Sequence, residues 1–237
     1  MSSDKRYLAL RLEGPFQSWG FDSQYNRRNT GLMPTKSAIG GMCCAALGWS
    51  RGSDEEQKFI TLFGAVRMTT IAIPRQVAKK ELPVRRLQDY HTVQNTMRAK
   101  GTLNTDCVLT HRQYLTDAAF GVLLEGDAVL LGEIAVALAD PKWGIWFGRK
   151  TCIPSAPLLV SLKEHSDDLS RLLKENREDA LRLLIGEKPI DSFTWQEEVD
   201  NFGEGSDSLP DAPVSFATER RLHAPRRVRT HHGIGRL

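Results

Sequence analysis

The segment RRLQDYHTVQN, residues 85–95, sets Asp89, Tyr90 and His91 side by side behind two arginines. An imidazole oriented by a carboxylate is a common device for moving a proton, and nearby guanidinium charge suits a phosphate substrate. Asp89 and His91 are two apart, so in an extended backbone they share a face while Tyr90 points the other way. Cleaving RNA with such a pair needs a second proton-transfer group and a cation for the charge that develops on the phosphate oxygens. His111 and Arg112, in THRQYL, are of those types, and Tyr114 follows them. His91 and His111 are therefore the candidate catalytic residues of a metal-independent endoribonuclease. The same side chains make an equally coherent grip without chemistry. Asp89 and His91 then brace a loop, and the arginines hold phosphate.

Other chemistries are less well supplied. GLMPTKS, residues 31–37, lacks the second glycine and the spacing of a phosphate-cradling nucleotide loop, which excludes that mode of NTP hydrolysis. It still places Thr35, Lys36 and Ser37 at a helix start, where free N–H groups favour an anion, although simple capping explains them too. PFQSWG offers Phe16 and Trp19 as stacking rings and Gln17 as an amide that reads base edges, with Arg27 and Arg28 close behind. KWGIWFGRK, residues 142–150, mixes three aromatics with three basic residues, as either an RNA-facing edge or a packed turn. The four cysteines, Cys43, Cys44, Cys107 and Cys152, show neither C-x-x-C spacing nor histidines at zinc-finger distance. No metal and no cofactor is called for.

The elements that must position these residues follow from hydrophobic period and caps. RYLALRL alternates as a half-buried strand. SAIGGMCCAALG reads as a helix between Pro34 and Gly48. Ser53 with Glu56 three residues on opens a second helix, and AVRMTTIAIP is a strand. AAFGVLLEG is a buried strand, and Asp127 caps the helix that follows it. Asp167–Ile185 reads as an acidic helix with Leu169, Leu172, Leu173 and Leu184 on its apolar side. Next come an acidic loop, a last strand VSFATERR, and an arginine-rich tail without apolar period, read as a flexible arm. The order indicates an α+β, ferredoxin-like (RNA-recognition-type) sheet with helices on one face. A long basic stretch interrupts it. Residues 1–218 form one domain, which includes a basic insertion and an acidic region at 164–211; residues 219–237 form the basic C-terminal arm.

Composition bounds the partners. The chain has 237 residues, 41% hydrophobic and 26% charged, enough for a real core. Its net charge of +3 is unevenly spread. Residues 1–114 carry 17 Lys/Arg against 9 Asp/Glu, residues 115–211 carry 9 against 19, and the rest 6 against 1. Basic ends around an acidic middle point to a polyanion such as nucleic acid, or to solvated surface charge. No apolar run spans a bilayer and no signal peptide is evident, so the expectation is cytoplasmic and without a membrane partner.

Taken together, LRLEGPFQSWG, PTKSAIGGMCCAALGW, LQDYHTV followed by HRQYLTDAAFGVLL, and FGRKTCIPSAPL resemble, in order and spacing over residues 6–160, the CasD family. These are the subunits of the type I-E CRISPR effector Cascade that hold the five-prime handle of the guide RNA in antiviral defence. The resemblance implies a protruding thumb at about residues 78–111. It also implies a cap on the crRNA five-prime end, a kink in the RNA against the backbone subunit CasC, a contact with the large subunit CasA, and a place in the complex assembled on target DNA. It implies no catalysis in type I-E, where CasE cuts the precursor. The corresponding type I-C subunit is the processing nuclease, which keeps the ribonuclease alternative open. By motif position the implied RNA contacts are Gln17, Trp19, Arg27, Arg28, Lys36 and Ser37. To these the thumb adds Arg86, Tyr90, His91, Arg98 and Arg112, and the FGRK segment adds Arg149 and Lys150. The acidic region has no role assigned by the resemblance.

Overall fold

The alternation in RYLALRL is carried by a long strand, β1 (Lys5–Gln17), in a computed structural model that describes residues 4–20, 22–77, 80–160 and 172–233. Leu8, Leu10 and Leu12 are fully buried on one face and Ala9 is buried on the other. β1 pairs antiparallel with β9 (Val108–Asp127), and β9 takes β3 (Arg67–Ile73) along its other edge. The short β10 (Leu173–Lys174) adds to the free edge of β1. Beyond β3 the sheet continues through β11 (Thr194–Glu198), β13 (Leu222–His231) and β12 (Asp207–Ser215). The order is β10-β1-β9-β3-β11-β13-β12, a mixed α/β fold with one large antiparallel sheet and few helices.

Local capping explains where the helices begin. Thr35 accepts from the Ala38 N–H at the start of α1 (Lys36–Leu47), Ser53 from the Glu56 N–H at α2 (Asp54–Gly64), and Asp127 from the Val129 and Leu130 N–H groups at α3 (Ala128–Ala139). These three helices bury Ile39, Phe63 and Ile134 with Leu8, Leu10 and Leu12. Helices are not confined to that face, however. α4 (Arg177–Ile185) packs Ala180 and Leu184 against Ala9, Ile71 and Leu123 on the opposite side. Both faces of the central strands are apolar, so both need cover. Gly121 makes the room: a Cβ there would come within 3.2 Å of Leu184 Cδ1.

Three other expectations change. Of the helix expected over Asp167–Ile185, residues 167–171, Leu169 among them, lie outside the described residues; Leu173 lies in β10, and Asn176 caps α4, the helical part described. SDSLPDAP, read as part of the acidic loop, forms most of β12, and of the last strand expected over VSFATERR only Val214 and Ser215 are strand. The arginine-rich arm is not free: Leu222–His231 forms β13, inserted between β11 and β12. The acidic middle explains that insertion. Glu197 meets Arg177, Arg229 and His231, and Asp211 meets Arg226. Arg226, Arg229 and His231 of the basic tail therefore meet acids of the acidic region inside the fold.

The basic insertion is built of strands. β4 (Arg75–Val77) pairs with β5 (Lys80–Leu82) at its base; residues 78 and 79, where the expected thumb begins, lie outside the described residues. β6 (Arg85–Val93) then pairs with residues 108–116 of β9, and β7 (Thr96–Met97) pairs with β8 (Leu103–Asn104) at the tip. β6 is exposed along most of its length, on both faces. On the other edge of β9, β2 (Arg27–Arg28) lies parallel to His111 and Arg112.

Candidate nucleic-acid interface

Three of the expected contact residues point inward. Gln17 and Trp19 are fully buried. The Gln17 amide donates to the Ala118 and Leu12 carbonyls and accepts from Trp19 Nε1 at 3.2 Å, while the Trp19 ring packs on Phe147. Lys36 is 1% exposed, and its Nζ donates to both Glu198 oxygens and to the Gly64 carbonyl. Burial lowers the Lys36 pKa, and Glu198 works against that shift. The start of α1 is no open anion site either, because the Lys36 N–H donates to Asp211 Oδ2 at 2.9 Å. These residues are packed into the core beneath the surface, with their polar groups engaged inside the fold.

Above them lies a cleft of about 710 Å³. Its floor is one side of α1, made of small residues: Ser37, Ala38, Gly41 and Ala45. The loop 143–150 borders it, tied to the end of α1 by Trp143 N–H donating to the Ala45 carbonyl. That loop contributes Trp143, Trp146, Arg149 and Lys150, and Arg28 joins them from β2. Arg149 Nη2 donates to the Arg28 carbonyl at 2.8 Å, and its guanidinium lies 4.6 Å from the centre of the Tyr114 ring. Lys150 is exposed beside Trp146. Rings interleaved with cations suit a single strand, whose bases stack while its phosphates are neutralised. Two acids also line the cleft, Glu56 and Asp211, but they are 2% and 3% exposed and already engaged. The charge offered to a ligand is therefore positive. Burial pushes the Cys44 thiol up to about 12, so it is an inert part of the floor.

Gly148 sets the course of the 143–150 loop, with φ at +92° and the Ser18 carbonyl where a side chain would begin. Gly148→Ala will cost more than the roughly 1–3 kcal/mol of that backbone conformation, because the Ser18 carbonyl must also move, read as a lower midpoint in thermal unfolding. An unchanged midpoint would mean that the loop yields without resistance.

The hairpin sorts the remaining residues by face. Residues paired across an antiparallel ladder share a face and neighbours along a strand alternate. Asp89 pairs with Arg112 and His91 with Thr110, so Asp89, His91 and Arg112 lie together, two residues from Tyr114. Asp89 Oδ2 and His91 Nδ1 are 3.8 Å apart, sharing a face as the spacing requires but beyond a hydrogen bond. Tyr90 pairs with His111 and their rings are 5.2 Å apart; Gln88 Nε2 reaches His111 Nδ1 at 3.3 Å. His91 and His111 therefore stand on opposite faces, and the set of His91, His111, Arg112 and Tyr114 is not assembled. Arg86 shares the Gln88–Tyr90 face, and Arg98 at the tip donates to Asn104 Oδ1. Arg27 and Arg28 are exposed in register with His111 and Arg112.

The structure brings Arg28, Ser37, Arg149 and Lys150 together and adds residues that sequence reasoning did not single out: Arg51 and Arg221, with His223. Arg51 sits in a turn, Arg221 just before β13 and His223 within it. Only the closing of β12 and β13 over α1 makes them neighbours, so no local signal announces them.

A family model described as CRISPR-associated protein (Cas_Cas5) matches residues 7–229. The chain is 31% identical over 173 residues to the CRISPR system Cascade subunit CasD of Escherichia coli (strain K12), covering 71% of this chain and 76% of that one. A chain from a CRISPR RNA-guided surveillance complex superposes with a TM-score of 0.71 at 26% identity, over 94% of this chain and 88% of that one. A crystal structure of a Cas protein gives 0.62 at 29% identity, over 95% and 93%.

Proposed function

The chain belongs to the Cas5 family of CRISPR-associated proteins, and from that premise we propose that it is a non-catalytic subunit of a CRISPR effector complex of the Cascade type, in which it grips the five-prime handle of the crRNA. The observation that carries this reading is the cleft over α1, where Arg28, Arg149 and Lys150 stand among Trp143 and Trp146. Phosphate contacts there would supply affinity, and stacking of unpaired bases would supply selectivity. The strand order β10-β1-β9-β3, with α1 and α3 crossing one face, supports a ferredoxin-like, RNA-recognition-type core. On this reading the β6–β9 hairpin is the thumb, with Arg86, Tyr90, His91, Arg98 and Arg112 along it, and Arg27 and Ser37 border the same RNA path. The backbone subunit CasC and the large subunit CasA are the protein partners, in a cytoplasmic complex that engages target DNA.

The separation of His91 from His111 on the hairpin favours holding over cutting. Incubation of the protein with repeat-derived RNA in EDTA tests this directly. The expected result is intact RNA whose five-prime segment is protected from chemical probing. A product ending in a cyclic phosphate, lost in His91→Ala or His111→Ala, would show an endoribonuclease instead.

A further inference from the structure

Arg51 and Arg221 come from distant parts of the chain, one in the turn between α1 and α2, the other just before β13, and both line the cleft. They are close enough for the charge of Arg51 to add to the effect of burial in lowering the Arg221 pKa. Neither has a carboxylate partner among the described ion pairs. The acids of the cleft wall are spent elsewhere: Glu56 accepts the Gly52 N–H at 2.6 Å, and Asp211 binds Arg226 and the start of α1. His223 lines the same cleft, its pKa lowered by burial and then by Arg221, with Asp211 opposing the shift. Two cations drawn together without a counter-charge repel, and an anion between them reverses the sign of that interaction.

We propose that Arg51 and Arg221, with His223 beside them, form a second phosphate subsite of the cleft, which holds a backbone phosphate of the RNA strand that Arg28, Arg149 and Lys150 grip elsewhere along it. The inference rests on the RNA-binding reading above and adds a location to it. Guanidinium groups recognise phosphate oxygens with paired, directional N–H donors, which suits this anion better than a diffuse charge. Aromatic surface adjoins the subsite, as a nucleotide requires: Trp49 and Phe216 line the same wall, and Arg221 lies 5.8 Å from the Phe216 ring centre. Both basic groups line the same cleft as the small residues Ser37, Ala38, Gly41 and Ala45 of α1.

The test is a salt titration of labelled single-stranded RNA binding by fluorescence anisotropy, with the full chain, an R51A/R221A variant and an R28A/R149A variant. Losing one phosphate contact lowers the slope of log K against log salt by about 0.7, which is about fivefold in affinity at 0.1 M salt. R51A/R221A is expected to show that loss, and R51K/R221K to keep most of the slope while binding less tightly. An unchanged slope in R51A/R221A with a reduced slope in R28A/R149A would overturn the subsite and leave the proposed function standing. Unchanged slopes in both would overturn the RNA-binding reading itself. Inorganic phosphate at constant ionic strength separates a free anion from a strand. If it occupies the subsite in the wild-type chain while R51A/R221A keeps the full RNA slope, the site belongs to a free anion and the proposal fails. A polyglutamate probe whose binding is lost in R51A/R221A, with RNA slopes unchanged, would assign the residues to an acidic protein and would overturn it equally.

Discussion

Arg226→Ala will destabilise the protein by about 3–5 kcal/mol, a drop of roughly 10 °C in the unfolding midpoint for a chain of this size. Arg226 is 6% exposed and Asp211 3% exposed. Arg226 Nε donates to Asp211 Oδ1 at 2.6 Å and Nη2 to Oδ2 at 3.0 Å. The same carboxylate accepts the Lys36 N–H, so it ties β12 and β13 to the first turn of α1. Glu198 on β11 lies 3.7 Å from Arg226 Nη1 and takes the Lys36 ammonium. Removing the guanidinium leaves Asp211 buried beside Glu198 with one cation between them. The missing hydrogen bonds matter less than that uncompensated charge. Urea unfolding of the variant measures the loss, and a change below about 1 kcal/mol would show that water repairs the site. Lys36→Ala belongs to the same network. It should lower stability while leaving the salt slope of RNA binding unchanged at temperatures where it is folded, the opposite of what a phosphate contact would do.

That contrast marks where sequence stopped being informative. Features set by near neighbours were legible: the two-residue period of β1, the caps Thr35, Ser53 and Asp127, and the shared face of Asp89 and His91. Features set by distant pairing were not. Gln17, Trp19 and Lys36 have the chemical types of an RNA contact, and only the packing of Phe147, Ala118 and Glu198 around them turns those groups inward. The arginines of the tail read as free charge until β11 and the buried Asp211 are seen opposite them. His91 and His111 read as partners because both are histidines on one basic stretch; the register Tyr90↔His111 separates them by the thickness of the hairpin. Arg149 and Lys150, which line the cleft, are carried by one local motif, FGRK. Arg51 and Arg221 line the same cleft, and no motif joins residues so far apart in sequence.

The second large effect is expected at Arg149, paired with Arg112. Arg149 holds three relations at once: it donates to the Arg28 carbonyl, stacks on Tyr114, and keeps Nη1 buried without any partner among the described residues. Arg112 lies in register with Arg28 and two residues from Tyr114 on the same strand face, so these arginines join the cleft to the base of the hairpin. On the proposed reading, the Arg112→Ala and Arg149→Ala double variant removes two phosphate contacts. It should lower the salt slope by about 1.4 and the affinity at 0.1 M salt about 25-fold, at an unchanged fold. Arg149→Lys separates the parts of that effect. An ammonium keeps the charge, and so the slope, but cannot lie flat on Tyr114 while donating to the Arg28 carbonyl, so affinity should fall without a change in slope. Equal behaviour of lysine and arginine would reduce Arg149 to a point charge. A slope unaltered by the double variant would move the RNA path off this junction. A loss of affinity confined to handle RNA, with binding of a scrambled strand intact, would make the junction a reader of sequence as well as a clamp on the backbone.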